Sequence, residues 1–143
     1  MKYLLDTDHI SFLQRGAGSE FSQLKSRMSK HPISDFALSI ISFHEQVMGA
    51  NTYINKAKNN NTKLASGYKL LLDIQNDFSQ APILPFDAKA IAIFDKIRSQ
   101  KIRVATMDLR IAAIAISNNL VLLTRNTGDF SKVPNLIIED WTV

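Results

Sequence analysis

Residues 108–129 read DLRIAAIAISNNLVLLTRNTGD, and this stretch decides the fold class. Asp108–Ser117 is rich in Ala and Ile and carries only one charge after its first residue, Arg110. A helix that is apolar nearly all round belongs inside a protein. Leu120–Leu123 is a short apolar run of the kind found in strands covered on both faces. The polar residues Thr124–Asp129 then form a loop. A buried helix leading into a buried strand points to a parallel sheet with helices on both faces.

The same alternation extends outward along the chain. Tyr3–Leu5, Ala37–Ile41 and Ile83–Phe86 read as further strands, with Leu136–Ile138 as a fifth. Between them, helices are predicted over His9–Gln14, Phe21–Met28, Ser42–Lys58, Leu64–Phe78 and Ala88–Gln100. Ser42 and Glu45 have capping-box spacing, and Asp87 is placed to cap its helix. The inner faces are expected to carry Leu70, Leu71, Ile74 and Phe78, and then Ile91, Phe94 and Ile97. The expected fold is α/β: a central parallel sheet of four to five short strands in one domain, 1–143.

The totals agree with a globular chain. It has 143 residues, 45% apolar and 21% charged, enough for a single core. No apolar run approaches the roughly 18 residues of a membrane span, and acids interrupt the opening MKYLLDTDHI too early for a signal peptide. The absence of cysteine excludes disulfides and thiolate metal sites and fits a cytoplasmic location. The net charge is +4, which by itself reads as a solvated basic surface. Gathering acids into one cleft would leave the rest more basic, as suits a polyanionic substrate.

The acids are the informative residues. Asp6 and Asp8 follow the first strand, Glu45 lies near the start of the helix after the second, Asp108 opens the buried helix, and Asn126 and Asp129 follow the fourth strand. In a parallel sheet these places meet at the carboxyl edge, where such folds bind ligands. Two carboxylates 4 Å apart repel by about 4 kcal/mol at an effective dielectric near 20, so a cluster must take up protons or a cation. A hard divalent cation such as Mg²⁺, with Mn²⁺ as its stand-in, suits oxygen ligands. Each acid also has a local role open to it: Asp6 and Asp108 as helix caps, Glu45 as half of a capping box, Asp129 as a turn residue. His44 reads as a helix-surface residue, His9 as an incidental loop residue, and Trp141 as a C-terminal anchor.

Four segments together resemble PIN-domain ribonucleases, and within them the VapC-type toxins of bacterial toxin–antitoxin pairs. They are Tyr3–Asp8, Leu38–Glu45 followed by Met48-Gly49-Ala50, Asp108–Ala115, and Leu122–Phe130 with the closing Ile138–Trp141. The resemblance implies a PIN-like three-layer sandwich and Mg²⁺- or Mn²⁺-dependent endonucleolytic cleavage of RNA, with transfer or ribosomal RNA as targets. It also implies a homodimer and a cognate VapB-like antitoxin. By matching positions, Asp6, Glu45 and Asp108 would bind the metal and Asp129 would complete the catalytic set. Thr7, Asp8, Arg110, Thr124, Arg125 and Asn126 would support the site or meet substrate. The chain departs from the family pattern at Asp8, where a small polar residue is commoner, and at Asn126, an amide where some members have an acid. Two other readings stay open at this stage: a PIN nuclease for RNA maturation or DNA flaps, and a non-catalytic module that binds RNA or protein.

Overall fold

The computed structural model describes residues 1–143. In chain order the elements are β1 (Tyr3–Leu5), α1 (Thr7–Arg15), α2 (Ser19–Met28), β2 (Phe36–Ser39), α3 (Ile40–Lys56), α4 (Asn61–Phe78), β3 (Ile83–Leu84), α5 (Ala88–Ser99), α6 (Thr106–Ser117), β4 (Val121–Leu123), α7 (Thr127–Phe130) and β5 (Ile138–Glu139). The strands form one five-stranded sheet in the order β3-β2-β1-β4-β5, and every pairing is parallel. Successive strands run outward from β1 in one direction through β2 and β3, and in the other through β4 and β5. The order therefore reverses between β1 and β4, and the crevice beyond their carboxyl ends is where a doubly wound sheet holds its ligand.

The pleat sorts the strand residues into two cores. Leu4, Ala37 and Leu122 face α5 and α6, where Phe94, Ile97, Leu109 and Ile111–Ala115 are buried. Leu5, Phe36, Leu38 and Leu123 face the other way, against Ile10, Leu24, Ile74, Phe78 and Trp141. The Ala-Ile run of α6 is buried as its composition requires, because its small residues let α5 and the sheet approach closely. No helix is long and apolar enough to cross a membrane.

Three expectations need correction. On α4, Leu70 is 40% exposed, and the inward stripe is Gly67, Leu71, Ile74 and Phe78. On α5, Ile91 is 42% exposed and Ala90 takes the inner position with Phe94 and Ile97. In both helices a small residue, which the apolar pattern does not flag, marks the contact face. Third, α3 begins before Ser42. Its cap is Ser39, whose hydroxyl accepts from the Ser42 amide at 3.0 Å. Ser42 and Glu45 therefore form no capping box, and the Glu45 side chain is free for other work.

Gly67 lies where α4 crosses α3. A Cβ there would stand 2.6 Å from Ile54 Cγ1 and 3.1 Å from Tyr53 Cδ1. Overpacking costs about 1–3 kcal/mol, against roughly 1 kcal/mol gained in helix propensity. Gly67→Ala is thus expected to lower the urea midpoint despite favouring the helix; an unchanged or higher midpoint would show that the two helices part without cost.

Candidate active site

Asp6 is the first residue past β1. Its amide donates to the Leu123 carbonyl at 2.9 Å, carrying the β1–β4 ladder one step further. Its carboxylate caps α1, with Oδ1 accepting from the Thr7 amide at 2.8 Å. Oδ2 accepts from the Thr124 hydroxyl at 2.7 Å. Thr124 is buried one residue past β4 and also accepts from the Asn126 amide at 3.0 Å. Capping and site-building are therefore joint roles of one carboxylate.

Asp8 sits in the first turn of α1, which starts earlier than expected. Its Oδ1 lies 2.7 Å from His9 Nδ1, and its Oδ2 accepts from the Arg125 amide at 2.9 Å. The side chain braces the loop after β4 against α1 and has little freedom to move toward the other acids. Burial pushes the Asp8 pKa up, but the bonds from His9 and the Arg125 amide outweigh this, and the carboxyl titrates below its ordinary value.

Glu45 lies on the second turn of α3, half-buried. The Thr7 hydroxyl is 3.1 Å from Glu45 Oε1 and 2.9 Å from the hydroxyl of Ser42. Since a carboxylate only accepts, Thr7 donates to Glu45. Ser42, buried on the first turn of α3, thereby supports the site through Thr7, a role hidden by its apparent cap position.

Asp108 is the third residue of α6, and Ala105 precedes that helix without a side-chain cap. Asp108 is thus not a cap. Burial raises its pKa to about 6, assisted by the charges of Glu45, Asp129 and Asp8. For Asp6, burial raises it to about 7, with the charges of Asp8 and Asp108 adding to the rise; the bonds from Thr124 and Thr7 oppose it. Asp129 accepts from the Asn126 side-chain amide at 3.2 Å and from Lys132 Nζ at 3.4 Å. Asp108 therefore lies within electrostatic range of Asp6, Asp8, Glu45 and Asp129 at the carboxyl edge, and Asp6 within range of Asp8.

The two arginines behave differently. The Arg125 guanidinium turns to Glu20, at 3.6 Å, and lies over the Phe12 ring; only its backbone reaches the acids. Arg110 lies over the Phe94 ring of α5 and contacts Met107 Sδ at 3.4 Å. Neither head group is aimed at the carboxylates. His44 is exposed, but His9 is fully buried, not the incidental loop residue expected. Starting α1 at Thr7 explains this, since His9, Ile10 and Leu13 then share one face.

The donor set is made of oxygens, and the nearest imidazole has both nitrogens engaged elsewhere. No three acidic or histidine side chains already stand as a metal cage. Mg²⁺ does not require one, because it takes one or two carboxylates directly and keeps several waters. Asp6 and Asp108, both reluctant to ionise without a counter-charge, are the side chains best placed to hold such an ion, with Glu45 and Asp129 beside Asp108.

Residues 3–136 match the PIN domain family. Over 99% of its length the chain is 28% identical to ribonuclease VapC2 of Rickettsia felis, covering 98% of that protein. It is 26% identical to the tRNA(fMet)-specific endonuclease VapC of Salmonella typhimurium, again covering 99% of this chain and 98% of the relative. The crystal structure of DNA-bound VapBC from Salmonella typhimurium superposes with a TM-score of 0.74 at 25% identity, covering 99% of this chain and 98% of that one.

Proposed function

The chain belongs to the PIN-domain family, and on that premise we propose that it is a metal-dependent endoribonuclease, the toxin of a VapBC-type toxin–antitoxin pair. The observation that carries this reading is the convergence of Asp6, Glu45, Asp108 and Asp129 on one sheet edge, where ionising Asp6 and Asp108 carries a cost that only a cation or protons relieve. End-to-end similarity to a ribonuclease VapC and to a VapBC complex supports the toxin assignment. A VapB-like antitoxin is the corresponding partner, RNA the substrate, a homodimer the assembly and the cytoplasm the location.

In this reading Asp6 and Asp108 hold Mg²⁺ or Mn²⁺, with Glu45 and Asp129 adjusting the charge and holding water. Bound there, the ion supplies an acidified water and stabilisation of the leaving oxygen. The chain's own residues do the rest. Thr124 fixes the Asp6 carboxylate, Thr7 fixes Glu45, and the Asp8 brace holds the loop carrying Asn126 and Asp129. No side-chain nucleophile is needed. The ends produced are a 5′-phosphate and a 3′-hydroxyl.

The test is cleavage of total or transfer RNA with Mg²⁺ or Mn²⁺, with chelator and with an identically purified Asp6→Asn protein as controls. Cleavage is expected with either ion and is expected to stop with EDTA and return when the ion is restored in excess. Cleavage that survives exhaustive chelation would remove the metal from the reading. A wild-type protein that binds RNA but never cuts it would leave the non-catalytic module.

A further inference from the structure

One buried group takes no part in the reading above. His9 is fully inaccessible, and both its ring nitrogens are occupied. The Trp141 backbone amide lies 3.2 Å from Nε2. An amide N–H only donates, so Nε2 carries the lone pair, and the proton of the neutral ring sits on Nδ1, 2.7 Å from Asp8 Oδ1. The other acid near the ring, Asp140, is 3.8 Å from Nε2, beyond hydrogen-bond range, and already accepts from the amide and hydroxyl of Thr142 at 2.9 and 2.6 Å.

Both ends of this bridge are firmly held. Trp141 is 2% exposed. Its ring packs 4.6 Å from Tyr3 and 5.3 Å from His31, under the Arg27 guanidinium at 4.8 Å, and its indole N–H donates to Glu139 at 2.6 Å. At the other end, Asp8 Oδ2 accepts from the Arg125 amide at 2.9 Å and lies 3.3 Å from the hydroxyl of the adjacent Thr124, whose proton goes to Asp6 at 2.7 Å. Hydrogen bonds thus run from the C-terminal segment through His9 and Asp8 to the Arg125 amide, and the backbone carries the connection one residue back to Thr124 and its bond to Asp6.

We infer that His9 is a positioning residue, whose Nδ1–H orients the Asp8 carboxylate and through it the Arg125 amide and the Thr124 hydroxyl against Asp6. The inference rests on the endonuclease reading for its kinetic consequences, but the tautomer does not. Without the imidazole donor, Asp8 Oδ1 loses its partner on the buried side. The carboxylate is then free to rotate and release the loop after β4. Groups that orient ligands from behind typically matter by roughly 10–100-fold in activity or metal affinity.

The test has a structural and a kinetic arm. ¹⁵N spectra of the metal-free protein at neutral pH are expected to show His9 as the Nδ1–H tautomer. His9→Phe, which keeps a ring but removes both bonds, is expected to lower kcat roughly 10–100-fold with little change in KM for RNA. His9→Asn, whose side-chain amide nitrogen takes the place of Nδ1, is expected to recover most of the loss. His9→Gln, which reaches only the place of Nε2, is expected not to. An Nε2–H or doubly protonated ring would overturn the inference, as would His9→Phe turning over like wild type, or Gln rescuing as well as Asn. Should His9→Phe fail to fold, the tautomer and the Asn–Gln comparison decide. If wild type does not cut RNA, the endonuclease reading falls and the tautomer alone judges His9.

Discussion

Asp6→Asn is expected to abolish RNA cleavage while leaving the fold intact. Asparagine is as good a helix cap as aspartate, so the bond to the Thr7 amide and the start of α1 survive. The amide also fits beside Thr124, whose hydroxyl can turn to accept from it. What disappears is the charge. A metal-supplied stabilisation of several kcal/mol corresponds to on the order of 10³-fold or more in rate. Asp108→Asn is expected to do the same, since Asp108 caps nothing and its local role in α6 is small. In cells, either substitution should relieve growth arrest on expression. Normal turnover by either purified variant, free of wild-type enzyme, would refute the assignment of the metal-binding acids.

The second large effect is on stability, and its sign is opposite. Asp6 ionises near pH 7 in the folded chain, against an ordinary 3.8. Between those values the folded chain keeps a proton that the unfolded chain has released. The raised pKa therefore favours folding fully below about pH 4, less as pH rises, and not at all above about pH 7. At about 1.4 kcal/mol per pH unit, ionising Asp6 costs the metal-free fold on the order of 4 kcal/mol at pH 8. Asp6→Asn cannot ionise and escapes this cost. In EDTA at pH 8 it is expected to melt higher than wild type, by on the order of 10 °C, and at pH 4 the two should melt together. Asp108, near pH 6 but half-exposed, acts in the same direction and less strongly. Mg²⁺ should raise the melting temperature of wild type more at pH 8 than at pH 5, because only the ionised site attracts it. A wild-type protein at least as stable as Asp6→Asn in EDTA at pH 8 would mean that the carboxylate is not held against its charge.

These two outcomes separate catalysis from folding. A residue kept for stability loses both when replaced, whereas Asp6 is expected to lose activity and gain stability. That combination marks a side chain whose unfavourable environment serves ligand binding.

Much of this was legible in the sequence, and the places where it was not have physical causes. The strand ending at Asp6 was readable because three apolar residues meet an acid abruptly, and the buried α6 because Ala and Ile leave it no polar face. Helix faces marked by small residues are not, since Gly67 carries no hydrophobic signal and Ala90 a weaker one than its neighbour Ile91. The cap of α3 lies one turn earlier than the Ser42–Glu45 spacing suggests, because Ser39 and Ser42 are equally good caps and only the path of β2 selects between them. His9 was missed because its partners are adjacent in one case and 132 residues away in the other.

The amino-acid sequence by itself determined the alternation of elements and the parallel sheet, and it singled out the candidate acids, because hydrophobic period and element order are local properties of the chain. Only the tertiary structure decided the strand order β3-β2-β1-β4-β5, which puts Thr124 beside Asp6 and makes β1 and β4 the walls of the site. It also decided that Arg110 and Arg125 turn away from the carboxylates, and that His9 ties the tail to Asp8. Which side chains meet, and which charges must share one desolvated volume, depends on long-range pairing that no local pattern encodes.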